Sequence, residues 1–162
     1  MRKIFFVFSL LVLVAGCKDE EVQLSEADQL QKDVETIDQW LTKHGITALT
    51  DPSGLRYVIT TMGTGAKPKL TNKVLVKYAG KILVLKEGIT PANSIVFDQS
   101  TAGIAYILAE FVQGWQIGFQ LLPKGTKATL YIPSGLAYGK YGYGSIPPNS
   151  NMFFDVELID VK

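Results

Sequence analysis

Cysteine and histidine are almost missing from this 162-residue chain, which carries one of each, Cys17 and His44. A single thiol closes no disulfide within the chain. One thiol and one imidazole, set on either side of a polar segment, also fall short of the converging ligands that a zinc site needs. Neither a metal nor a cofactor is therefore expected. The usual general base for a serine or cysteine nucleophile is lacking too, and the acyl-transfer signature Gly-x-Ser-x-Gly does not occur. Any catalysis here works without a histidine.

An excess of charge of either sign is also absent. The formal net charge is +1, and without Arg2 and Lys3 the count becomes 14 basic against 15 acidic residues. That balance supplies no basic footprint, so nucleic acid is excluded as a partner. Gly139, Gly142 and Gly144 do not lie between a strand and a helix, and no Lys-Ser or Lys-Thr pair follows them, so they make no phosphate cradle. They read instead as a flexible loop studded with tyrosines. With 47% apolar and 19% charged residues the composition is globular. The length leaves room for one domain of about 110 residues and a short appendage.

A hydrophobic run long enough to cross a bilayer is missing as well. Ile4 to Val14 is apolar apart from Ser9, about half of the roughly 20 residues a spanning helix requires. Arg2 and Lys3 before it and Ala15-Gly16 after it make residues 1–16 a signal peptide. The small pair runs directly into the lone cysteine, and Val14-Ala15-Gly16-Cys17 resembles the lipobox of bacterial lipoproteins. That resemblance implies that Cys17 carries a diacylglycerol and becomes the N-terminus, so the membrane is a partner reached through lipid. Acyl chains contribute about 0.8 kcal/mol per buried methylene, which makes such an anchor durable. Lys18 in the next position resembles outer-membrane sorting, and Lys18-Asp19-Glu20-Glu21 also resembles a surface-export signal. The expected place is the bacterial cell envelope, at the outer membrane facing the periplasm, with surface exposure as the alternative.

Residues 17–24 form a tether, and residues 25–50 an amphipathic helix with its linker. Ser25 followed by Asp28 gives the helix start, and Gly45 after His44 the stop. Leu30, Val34, Ile37 and Leu41 fall on one face at helical spacing, with Trp40 beside them. A helix of this length is marginal alone, so the stripe needs cover. Either the chain's own domain supplies it, or the same helix of a second copy does, which would make a homodimer through residues 25–44. His44 reads as a cation at the helix end.

From residue 51 the pattern becomes one of strands. Leu55–Thr61, Val74–Tyr78, Ile95–Phe97, Ala105–Leu108, Thr126–Ile132 and Met152–Val161 read as strands, and Trp115–Leu122 reads as one short helix closed by Pro123 and Gly125. A helix laid across an antiparallel sheet is an α+β arrangement.

Six segments in this region carry a family resemblance. Val76-Lys77-Tyr78-Ala79-Gly80, Val96-Phe97-Asp98, Val112-Gln113-Gly114-Trp115, Ala137-Tyr138-Gly139, Ile146-Pro147-Pro148 and Phe153 to Leu158 follow one another in the order and near the spacing of the FKBP-type peptidyl-prolyl isomerases. The resemblance covers roughly residues 54–162. It implies an FKBP-like twisted antiparallel sheet wrapped on one helix within residues 51–162, and an enzyme that isomerises X-Pro bonds of proline-containing polypeptides. In that family the proline ring sits on the indole at the helix start, here Trp115, walled by Tyr78, Phe97 and Phe154. Phe111 and Val112 match the pair before the helix, where the Val112 amide meets a substrate carbonyl. Tyr138 matches the tyrosine whose hydroxyl reaches a carbonyl, Ile146 the apolar residue of the covering loop, and Asp98 the acidic residue proposed to orient the twisted bond. A non-catalytic chaperone or assembly factor of the same fold is the alternative. Residues 86–94 are additional to the smallest family members and read as an extended hairpin or bulge.

Overall fold

The computed structural model describes residues 24–162. The signal peptide, Cys17 and the tether up to residue 23 lie outside the described residues. Helix α1 (Glu26–Lys43) is followed by β1 (Leu49–Thr50), β2 (Arg56–Thr61), β3 (Lys73–Ile82), β4 (Val96–Ile107), helix α2 (Gln113–Leu121), β5 (Lys127–Ile132) and β6 (Met152–Val161). The strands form one antiparallel sheet in the order β1-β2-β5-β6-β3-β4. The chain is thus the α+β fold expected.

Residues of a strand point to opposite faces in turn, and β5 and β6 show what this achieves. Leu130, Ile132, Phe154, Val156 and Leu158 pack under α2 with Trp115, Phe119 and Leu122. Their neighbours Tyr131 and Phe153 face the other way, where Ile37, Trp40 and Leu41 of α1 join them with Leu83. The sheet is therefore covered by α2 on one face and by α1 on the other. Close approach on the α2 side depends on Gly114, because a Cβ there would run into the Ile132 side chain.

Helix α1 starts where Ser25 Oγ accepts the Asp28 N–H at 3.1 Å and stops at His44, whose N–H bonds back to Trp40 and Leu41. The C-terminal part of its stripe is covered by the chain's own sheet, with Ile37 and Trp40 fully buried, while Leu30 near its start stays exposed. Arg56 on β2 holds it from the side in a two-pronged pair with Asp38 at 2.9 and 3.0 Å.

Two expectations need correction. The segments expected as two strands at 95–97 and 105–108 fall, but for Ile95 and Leu108 at their outer ends, in a single strand, β4, which runs through the polar stretch between them. Residues 86–94, expected as an extended hairpin or a bulge, lie in the connection between β3 and β4 and do not lengthen their ladder, which ends at the Lys81–Val96 pair. Beyond it the chain leaves the ladder as turns against the end of α1, where Lys43 Nζ donates to the Lys86 carbonyl and His44 Nε2 lies 3.1 Å from the Ile89 carbonyl.

Candidate active site

The short helix α2 begins at Val112, whose carbonyl accepts the N–H groups of Trp115 and Gln116. This turn drives the Trp115 indole into the sheet, where it is 3% exposed. Four rings frame it. Tyr78, Phe119 and Phe154 meet it edge-on with centroids at 5.1, 5.3 and 5.2 Å, and Phe111 leans over it at 4.9 Å. Edge-to-face contact is the geometry the ring quadrupoles favour, so the floor is rigid as well as apolar. Phe97 stands one ring further out, edge-on to Phe154 at 5.7 Å. The indole N–H has no acceptor among the described residues.

Polar groups are few and lie at the rim. Tyr78 Oη donates to Asp98 Oδ2 at 2.6 Å, so the carboxylate at the end of the pocket wall keeps its other oxygen free of side-chain donors among the described residues. The Val112 N–H, just ahead of the helix, also has no acceptor among the described residues. Tyr138 stacks on Tyr143 with centroids 5.4 Å apart. Burial, the hydrogen bond to Asp98 and its negative charge all hold the Tyr78 hydroxyl well above the ordinary tyrosine range. Burial first, then the charge of Asp98, raises Tyr138 in the same direction. Both hydroxyls are thus kept as donors.

The loop from Tyr138 to Asn149 is not the slack segment its glycines suggest. Residues Gly139–Tyr141 form a 3-10 turn. Tyr143 and Ile146 exchange backbone hydrogen bonds at 3.0 and 2.9 Å, and the Asn149 N–H reaches back to Gly139 at 2.9 Å. This staple drives Ile146 into the core, where it is 6% exposed.

Of the sequence-predicted residues, Trp115, Tyr78, Phe111, Phe154 and Phe97 form one aromatic cluster, Val112, Tyr138 and Ile146 belong to or pack against the same core, and Asp98 is bonded to Tyr78. Two further residues bear on this region without having been singled out as site residues. Gly80 has no side chain where one is needed least, since a Cβ would stand 2.5 Å from Phe154 and 2.9 Å from Phe97. Its place in the Val76–Gly80 motif was the available signal. Asp33 on α1 has no such motif and is taken up below. A separate open groove between α1 and residues 50–56, lined by Leu30, Val34, Asp51 and Arg56 among others, offers no aromatic ring to a ligand.

Comparison with known proteins agrees with this geometry. The FKBP-type peptidyl-prolyl cis-trans isomerase family matches residues 64–159, and the prokaryotic membrane lipoprotein lipid attachment site matches residues 1–17. The latter makes the chain a lipid-anchored protein of the cell envelope. The FKBP-type peptidyl-prolyl cis-trans isomerase FkpA of Aeromonas hydrophila is 42% identical over 113 residues, covering 68% of this chain and 39% of that protein. The outer membrane protein MIP of Legionella longbeachae is 36% identical over 125 residues, covering 75% of this chain and 49% of the relative. The chain thus spans less than half the length of either. A crystal structure of a peptidyl-prolyl cis-trans isomerase from Pseudomonas syringae superposes with a TM-score of 0.68 at 30% identity, covering 86% of this chain and 98% of that one. An aromatic cup built by six motifs in order, on a sheet of this topology, and a family match over more than half its length lead to one assignment: the chain belongs to the FKBP-type peptidyl-prolyl cis-trans isomerase family.

Proposed function

We propose that this chain catalyses cis-trans isomerisation of X-Pro bonds in exported polypeptides, from a lipid tether on Cys17 at the outer membrane facing the periplasm. The proposed organisation is a signal peptide 1–16, a tether 17–24, the helix and linker 25–50 and the isomerase domain 51–162. Twisting a peptide bond costs about 18–20 kcal/mol because planarity gives resonance. The planar form is the more charge-separated one, so a dry apolar cup disfavours it relative to the twisted state. No proton has to move, which suits a chain with one histidine far from the cup.

Each residue then has a task. Trp115 receives the proline ring, Tyr78, Phe97, Phe111 and Phe154 exclude water around it, and Ile146 closes the side under the loop. The Val112 N–H and the Tyr138 hydroxyl fix the carbonyls on either side of the bond being turned. Asp98, steadied by Tyr78, orients the rotating carbonyl through its second oxygen. Each factor of ten in rate requires about 1.4 kcal/mol, an amount within reach of one or two such hydrogen bonds in a dry site.

The observation that carries this reading is the indole floor ringed by aromatics with donors confined to the rim. Slow X-Pro isomerisation limits the folding of many exported chains, and the similarity to an outer membrane protein together with Lys18 supports the location. A homodimer through residues 25–44 would have to use the exposed N-terminal part of α1 around Leu30, because Ile37, Trp40 and Leu41 are buried against the chain's own sheet. The test is exchange spectroscopy on Ala-Pro and Leu-Pro peptides with catalytic amounts of the chain. Accelerated exchange is expected. Peptide binding without acceleration would favour the non-catalytic chaperone instead.

A further inference from the structure

Asp33 is a carboxylate in a place where carboxylates are costly. It lies on the inner side of α1 and is 2% exposed, and among the described residues no cation pairs with it. Burial of this kind needs donors in compensation, and three converge. Oδ1 accepts the Gln29 amide at 2.7 Å. Oδ2 accepts both the backbone N–H of Ser134 at 2.8 Å and its hydroxyl at 2.5 Å. Ser134 is fully buried. Asn151 completes the cluster, its Oδ1 accepting the same Ser134 N–H at 3.0 Å and its Nδ2 donating to the Asp33 carbonyl at 3.3 Å.

The position of this cluster decides its meaning. Ser134 opens the 3-10 turn Ser134–Leu136 that carries the chain from the end of β5 to Tyr138. Asn151 immediately precedes β6, which brings in Phe154. The carboxylate comes from α1, outside the residues that match the isomerase family, and the rest of α1's buried residues pack on Tyr131 and Phe153, away from the cup. One oxygen capturing both donors of a single residue fixes that residue's orientation as well as its place.

We propose that Asp33 is a positioning residue for the isomerase site: by holding Ser134 through both donors it sets the direction in which the chain leaves β5, and so where the Tyr138 hydroxyl stands over the Trp115 floor. The inference rests on the isomerase reading of the cup. It makes α1 a part of the site's scaffold in addition to its cover for the second face of the sheet. Asparagine can keep this hold, with its carbonyl oxygen toward Ser134 and its NH2 toward the Oε1 of a flipped Gln29, whereas alanine removes the acceptor altogether.

The test uses the mature chain in detergent, with Asp33→Ala, Asp33→Asn, Ser134→Ala, Tyr138→Phe and the doubles of Asp33→Ala and Ser134→Ala with Tyr138→Phe. Each is assayed by peptide exchange at a temperature where near-ultraviolet circular dichroism shows it folded. Asp33→Ala is expected to lower kcat/KM about tenfold and Ser134→Ala about threefold, and Asp33→Asn should restore most of the Asp33→Ala loss. The losses of both alanine variants should largely disappear in the Tyr138→Phe background, the non-additivity expected of groups acting through one another. Amide exchange at residues 134–138 should rise about tenfold in Asp33→Ala while α2 and β2 keep their protection. Loss of overall stability alone would not produce that coupling. The inference is overturned if folded Asp33→Ala keeps wild-type kcat/KM, or if its loss multiplies fully with that of Tyr138→Phe. Should Asp33→Ala fail to fold, Ser134→Ala decides by the same criteria. Should the wild-type chain not accelerate exchange at all, the isomerase reading fails, and unchanged protection of residues 134–138 in the alanine variants would overturn the positioning role separately.

Discussion

On the α2 face of the sheet, rings meet edge to face around Trp115, and Tyr78, Phe97, Phe111 and Tyr138 keep part of their surface open. On the α1 face, Ile37, Trp40, Leu83 and Phe153 are closed off, and the margin is tied by Arg56 to Asp38 and by Lys43 and His44 to the turns at 86–89. The same two strands, β5 and β6, serve both. One core carries partly exposed rings at its margin, and the other is completed by a helix from outside the residues that match the family. The contrast teaches that partly exposed rings on the α2 face rest on the larger of the two buried cores, while α1 adds a smaller, fully sealed core on the opposite face.

Trp40→Ala should break the sealed face, costing about 3–5 kcal/mol in chemical denaturation. Trp40→Phe should cost far less, since the indole N–H of Trp40 has no acceptor among the described residues. Equal small losses for both would mean that the second core contributes little.

Alkaline titration comes next in size. Burial, then the charge of Asp155, pushes Tyr131 on the α1 face up to about 12. The fold therefore favours the neutral phenol, and this stabilisation is complete below about pH 10 and is lost as pH rises from about 10 to 12, by roughly 2–3 kcal/mol. Tyr131→Phe should flatten that fall in stability. A decline of the same steepness in the variant would refute the assignment.

Gly80→Ala should act on the other face, where the new methyl meets Phe154 and Phe97. Overpacking predicts a loss of about 1–3 kcal/mol, accompanied by a drop in kcat/KM and with amide protection of α1 unchanged. Arg56→Lys gives the smallest effect, at most about 1 kcal/mol, because the half-exposed Asp38 loses a planar fork and keeps a point charge. An effect above 2 kcal/mol would show that the pair anchors α1 more firmly than its exposure suggests.

Much of this arrangement was legible in the sequence, for reasons that differ by region. The ends of α1 followed from Ser25 and Gly45, and β6 from an uninterrupted strand pattern between Met152 and Val161. The cup residues were legible because short motifs kept their order. Strand β4 was not legible as one element: it is an edge strand, and Asp98, Gln99 and Thr101 within it are exposed, so no apolar alternation marks it. The ordered loop at 138–149 escaped notice because its rigidity comes from backbone hydrogen bonds, which leave no side-chain pattern. Asp33 was invisible for a similar reason. Its position, three residues after Leu30 and four before Ile37, does fall on the buried face, but nothing in the local pattern names a partner, and only the fold brings Ser134, 101 residues away, to its side.

The central claim is that proline turns over on the α2 face, and one NMR experiment on 15N-labelled chain with an Ala-Pro peptide tests it. The account predicts accelerated cis-trans exchange of the peptide together with a shift of the Trp115 indole signal, while the Trp40 indole signal stays in place. Exchange at the uncatalysed rate with a folded chain, or a shift confined to Trp40, would contradict it.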